Sequence, residues 1–170
     1  MHKSNIMDTH PLSGAFLSNK LIRLVEKIAD QGATLLKSAN ILIPPRTIST
    51  VLMIGELEDV TAADIANALD QPHQLATQRI GILIELGLVT KRPHATDSRR
   101  KVLELTFEGR RQYNKMTDML ENIRTAMLAL YDELGCDLAN IAVKAVNALD
   151  DSPLIERIGE IPDAKQTSGA

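Results

Sequence analysis

Apolar residues recur along most of this chain with the period of a helix. Leu17, Leu21, Leu24, Val25, Ile28, Leu35 and Leu36 are spaced mainly by three and four, which predicts one long amphipathic helix from Phe16 to Ala39, ended by Ile43-Pro44-Pro45. A second helix is predicted from about Arg46 to Leu57. Thr61 and Asp64 have capping-box spacing and open a short helix within "TAADIANAL". "DQPHQ" reads as a turn, with Pro72 suited to the first helical position. The helix that follows, roughly His73 to Leu86, should stop at Gly87 in a left-handed conformation.

After Gly87 the period shortens. "LVTKR" and "KVLELT" favour strands, with Leu103 and Leu105 alternating against Val102 and Glu104, and the turn-forming "PHATDSR" joins them into a hairpin. Thr106 then caps a long helix in which Tyr113, Met116, Leu120, Ile123, Met127, Leu130 and Leu134 recur every three or four residues, close to a heptad seam. "GCD" at 135–137 breaks it. Leu138 to Leu149 form a further amphipathic helix, Ser152-Pro153 starts a short one, and "DAKQTSGA" reads as a tail. The predicted fold class is mainly α with a small β-hairpin, a winged helix-turn-helix flanked by N- and C-terminal helices.

Composition and charge change this picture in one place. With 170 residues and 44% apolar content, the chain can bury a proper core. It carries no apolar run long enough for a membrane span and no apolar signal core, and its single cysteine, Cys136, fits a reducing, cytoplasmic setting. The net charge of −3 argues against a nucleic-acid partner until its distribution is considered. Seven basic residues against three acids between Thr90 and Arg111 give that segment +4 and leave −7 on the rest. A positive hairpin on an acidic body can attract a polyanion while non-specific binding stays weak.

Other chemistry is sparse. His2, His10, His73 and His94 show no ligand spacing with one another or with Cys136, so neither a metal nor a cofactor is expected. No nucleophile motif, phosphate loop or carboxylate pair points to an enzyme. Two Phe and two Tyr are too few for a single-strand stacking platform. Cys136, in a helix–helix turn, reads as a buried or idle thiol.

The element order and the motifs together resemble the MarR-type (multiple antibiotic resistance regulator) transcription factors, over about residues 15 to 150. The wing carries the resemblance: Asp97, Arg99, Leu105, Thr106 and Gly109 occupy the family's Asp-x-Arg and Leu-Thr-x-x-Gly positions without a gap, and "DIANAL" and "ELGLVTKR" resemble the segments around its recognition helix. The resemblance implies that Arg99 enters the minor groove, with Asp97 holding its guanidinium. A narrow minor groove concentrates negative potential, which gives that role an independent physical basis. Arg92 and Arg100 are expected to contact DNA beside it. In the recognition helix His73, Gln74, Thr77 and Gln78 stand where side chains reach base edges, Gln suiting adenine and Thr a thymine methyl. The helix departs from the family at Pro72, where Ser is usual, at Gln78, where a basic residue is usual, and at Gly81, Ile82, Ile84 and Leu86, which replace charged positions.

The resemblance further implies a homodimer on double-stranded DNA and a small-molecule effector, such as a phenolic acid, held by Leu24, Ile48, Leu52 and Tyr113. The expected organisation is an arm at 1–14, a dimerization helix at 15–44, the winged helix-turn-helix at 45–106, dimerization helices at 107–159 and a disordered tail at 160–170. The competing reading is a winged-helix module that binds a protein, and little or no DNA, through an apolar face around Ile82, Ile84 and Leu86.

Overall fold

A computed structural model of the chain describes residues 6–94 and 100–159. The expected wing residues Asp97 and Arg99 lie outside them. In order, the elements are α1 (Ile6–Thr9), α2 (Leu17–Ser38), α3 (Ile48–Glu56), α4 (Ala62–Ala68), α5 (His73–Glu85), β1 (Val89–Pro93), β2 (Lys101–Leu105), α6 (Phe107–Leu134), α7 (Leu138–Asp151) and α8 (Leu154–Gly159). Short 3-10 turns precede α2 and α3. Among the described residues the fold is mainly helical with one antiparallel hairpin, as expected.

Most boundaries follow from local chemistry. The capping box is present at α4: the Thr61 hydroxyl accepts from the Asp64 N–H at 3.3 Å, and the Asp64 carboxylate accepts from the Thr61 N–H at 2.9 Å. Gly87, at φ +67°, closes α5: its N–H donates to the Ile84 carbonyl and that of Leu88 to Leu83. Two expectations need correction. α2 ends at Ser38, before the prolines, because Asn40 takes φ +52° and the Ile41 N–H closes back on the Leu36 carbonyl at 2.9 Å. Pro72 is the N-cap of α5 rather than its first helical residue, with ψ at 135° and a carbonyl that receives the Leu75 and Ala76 N–H groups.

The chain divides into two compact units, Met1–Glu121 and Asn122–Ala170, with α6 running across the division. The first unit holds the core. Val51 and Ile54 of α3, Ile65 of α4, Ala76, Ile80 and Leu83 of α5, Leu88 just before β1, Leu103 of β2 and Met116 of α6 are all buried in one cluster. The first half of α6 belongs to this unit for a physical reason. Buried Gln112 accepts the Leu42 N–H at 2.9 Å and donates to Glu108, so one side chain ties α6 to the segment that follows α2.

Thr106 and Gly109 make the closest join between hairpin and helix. The Thr106 hydroxyl donates to the Gly87 carbonyl at 2.7 Å and accepts the Gly109 N–H at 2.9 Å. A Cβ on Gly109 would stand 1.8 Å from the Leu88 carbonyl oxygen. Only glycine permits that approach.

In the second unit, Gly135 at φ +68° ends α6, and Cys136, half-buried, donates its N–H to the Tyr131 carbonyl. Asp137 caps α7 by accepting the Asn140 N–H at 3.0 Å. Arg157 reaches from α8 to the Ser152 carbonyl at 2.7 Å. Neither α7 nor α8 has a buried residue.

Candidate nucleic-acid interface

α5 is held by its buried side, Ala76, Ile80 and Leu83. That anchoring leaves His73, Gln74, Thr77 and Gln78 exposed together in its first two turns. His73 Nδ1 and the Thr77 hydroxyl are 3.4 Å apart. Pro72, Gln74, Leu75 and Gln78 border a shallow hollow of about 450 Å³. Behind this surface Arg79 donates to the Gln71 side-chain carbonyl, which joins the helix to the preceding turn.

The hairpin pairs Val89 with Leu105, Lys91 with Leu103 and Pro93 with Lys101. Its ladder continues where the His94 N–H donates to the Arg100 carbonyl at 3.0 Å. The hairpin is attached to the turn before α4 by the Leu103 N–H, which donates to the Val60 carbonyl at 2.9 Å. The Arg100 guanidinium stands 3.8 Å from the Asp64 carboxylate. Asp64 is held below the usual carboxylate range, first by the hydroxyl and then by the N–H of Thr61, with Arg100 adding to both.

Arg92 has close partners. Its Nε donates to Glu104, the diagonal neighbour on β2, and its Nη2 donates to Asp59 at 2.8 Å. Those two carboxylates, Glu104 foremost, raise its pKa above the ordinary arginine value. Arg92 also borders a cavity of about 550 Å³ at the root of the hairpin, beside Ile54, Leu57, Glu58, Asp59, Glu104 and Arg110. Sequence reasoning missed this cavity and the role of Asp59. The available signal was "EDV" in a turn, because Asp is one of the few residues that tolerates the φ of +51° found at Asp59.

The four residues expected to hold an effector separate in the structure. Ile48, Leu52 and Tyr113 pack against the buried core, whereas Leu24 on α2 is 36% exposed and is not part of that packing. The Tyr113 ring covers Gly55, where a Cβ would lie 2.2 Å from a ring carbon, and Arg110 sits 5.1 Å from the ring centre. The apolar face proposed around Ile82, Ile84 and Leu86 divides as well: Ile84 packs on the core and Leu86 is 46% exposed. Residues two apart on a helix point about 200° apart, so the three cannot share one face.

Among the described residues no group of three His, Cys, Asp or Glu could hold a metal ion, and no helix is long and apolar enough to cross a membrane.

Comparison with known proteins meets this geometry at the winged helix. Residues 43–100 match the model of the MarR family. Among solved structures, the transcriptional repressor CouR bound to a 23-mer DNA duplex superposes with a TM-score of 0.65 at 17% identity, covering 86% of this chain and 99% of that one. A MarR transcriptional regulator from Methanosarcina mazei gives 0.59 at 12% identity, covering 80% and 98%. The heme sensor protein PefR from Streptococcus agalactiae, in complex with heme, gives 0.56 at 21%, covering 87% and 97%. At these identities the structures show a shared fold. No curated protein sequence matches the chain significantly. Over residues 43–100 the resemblance to the MarR family read from the sequence is thus borne out, and that family is one of transcriptional regulators rather than enzymes.

Proposed function

From a MarR-family winged helix over residues 43–100, we propose that this chain is a homodimeric, sequence-specific regulator that binds duplex DNA. The observation that carries the reading is the exposed polar start of α5, His73, Gln74, Thr77 and Gln78, on the same folded unit as a hairpin rich in cations. In this reading α5 lies in the major groove, Arg100 meets phosphate, and Arg99, positioned by Asp97, enters the minor groove. The organisation proposed with it is an arm at 1–14, a dimerization helix at 15–44, the winged helix-turn-helix at 45–106, dimerization helices at 107–159 and a tail at 160–170.

Dimerization is supported by uncovered apolar surface. Leu17, Leu21, Val25 and Ile28 on α2, Ile141, Val143 and Val146 on α7 and Ile155 on α8 are all exposed in the single chain, and apolar surface of that kind ordinarily marks an interface. A small effector, a phenolic acid for example, would act by binding one state of the dimer better than the other, with Leu24, Ile48, Leu52 and Tyr113 as the proposed contacts. We place the protein in the cytoplasm, where its DNA partner would be.

Fluorescence anisotropy on duplexes selected from a random pool tests the DNA reading. Affinity should fall steeply as salt rises, and Gln78→Ala together with Gln74→Ala should cost on the order of 1 to 3 kcal/mol and relax base preference. Retention that is absent at low salt overturns the reading in favour of a protein-binding module. Sedimentation at micromolar concentration should give a dimer.

A further inference from the structure

We propose that Arg92 is a positioning residue: it tethers the wing to the turn between α3 and α4 through Asp59 and Glu104, and it does not contact phosphate. The inference rests on the DNA-binding reading above. A two-stranded hairpin is marginal by itself and needs an external anchor to keep one direction. The backbone supplies one anchor, the Leu103 N–H on the Val60 carbonyl. Arg92 supplies the second. Its planar guanidinium spans β2 and the turn at once, with Nε on Glu104 and Nη2 on Asp59, while Nη1 lies 3.5 Å from the Pro93 carbonyl.

The surroundings are unsuited to phosphate. Glu56, Glu58, Asp59 and Glu104 border the same cavity as Arg92, with Arg110 as the second cation. Four carboxylates against two guanidinium groups would repel a nucleic-acid backbone brought to that spot. Asp59 is also held in place: it sits at φ +51°, and His94 Nε2, one residue past β1, is 3.9 Å from its second oxygen. Arg92 of β1 and His94 just beyond it therefore face one carboxylate of the turn.

The test uses Arg92→Lys, Arg92→Met and Asp59→Asn in the full chain, with anisotropy on a selected duplex at several salt concentrations. Lysine keeps the charge but cannot span both carboxylates. Asn tolerates the left-handed backbone while removing a negative charge. A tether predicts that all three weaken specific binding by about tenfold, with the wild-type salt slope retained. A phosphate contact predicts that Arg92→Met lowers the slope by about one while Arg92→Lys restores affinity, and Asp59→Asn then tightens binding. Either of those results overturns the inference. Hydrogen exchange without DNA provides a separate readout: the Leu103 amide should lose protection in Arg92→Lys and Asp59→Asn, and unchanged protection in both overturns the tether even if the wild type binds no DNA. Absence of salt-dependent binding by the wild type counts against the regulator reading alone.

Discussion

Helices α5 and α2 each carry an apolar stripe, yet the molecule treats them differently. On α5 the stripe of Ala76, Ile80 and Leu83 is buried against α3, α4 and the hairpin, all within one folded unit. On α2 only Leu36 is buried, and Val25 is 64% exposed. Periodicity reports which face of a helix must be covered. What covers it depends on the contacts available, and in α2 the single chain supplies too few.

The largest effect should come from breaking the covered side of this comparison. Gly109→Ala forces a Cβ to within 1.8 Å of the Leu88 carbonyl oxygen, a backbone atom that cannot swing away. We expect a loss of more than ~3 kcal/mol, seen as an unfolded or strongly destabilised winged helix in urea titration. Stability within ~1 kcal/mol of the wild type would mean that α6 can slide off the hairpin without consequence.

A matched pair sharpens the comparison directly. Leu83→Ala, in the buried stripe, should cost ~2 to 5 kcal/mol at every protein concentration. Val25→Ala, in the exposed stripe, should cost less than ~1 kcal/mol in dilute protein, and its effect should grow with concentration as an interface comes into play. Equal costs at equal dilution would show that α2 is covered within its own chain after all.

A cap gives a smaller effect that should be independent of both stripes. Thr61→Ala removes the hydroxyl that receives the Asp64 N–H and should cost ~1 kcal/mol. Because Thr61 also holds Asp64 in its low-pKa state, that carboxyl should titrate closer to its ordinary value in the variant. Carboxyl chemical shifts followed through acid would measure both.

The smallest expected effect is a pH dependence. The guanidinium of Arg111, and after it the Gln112 amide, hold Glu108 at about 2. A carboxylate depressed on folding stabilises fully above its unfolded pKa, so this contribution should be complete above roughly pH 4.5 and fade as pH falls toward 2. Glu108→Gln should flatten that part of the stability profile, and salt should flatten it in the wild type because the pair is at the surface. A profile unchanged by the substitution would show that the Glu108–Arg111 pair does not contribute.

Several parts of the site are legible in the sequence. Thr61, Gly87 and Thr106 each end or cap a helix through a partner three residues away or through their own backbone preference, and each stands where it was read. The stretch from Leu105 to Gly109 was recognisable as a family motif, but its reason was not. That reason is the contact of Gly109 with Leu88, 21 positions earlier in the chain. Arg92 shows the opposite case: in the sequence it is one more cation in a basic hairpin, and nothing nearby marks Asp59 as its partner.

What the sequence by itself determined is therefore the kind and order of the elements, because caps, turns and amphipathic periods are set by interactions within a few residues. Tertiary structure alone decided that Arg92 meets Asp59 across 33 residues, that Gln112 answers the Leu42 N–H across 70, and that Tyr113 covers Gly55. It also decided which apolar stripes find cover. These outcomes depend on how distant segments are brought together, and a side chain's charge or hydropathy records what it needs without recording which neighbour will meet that need.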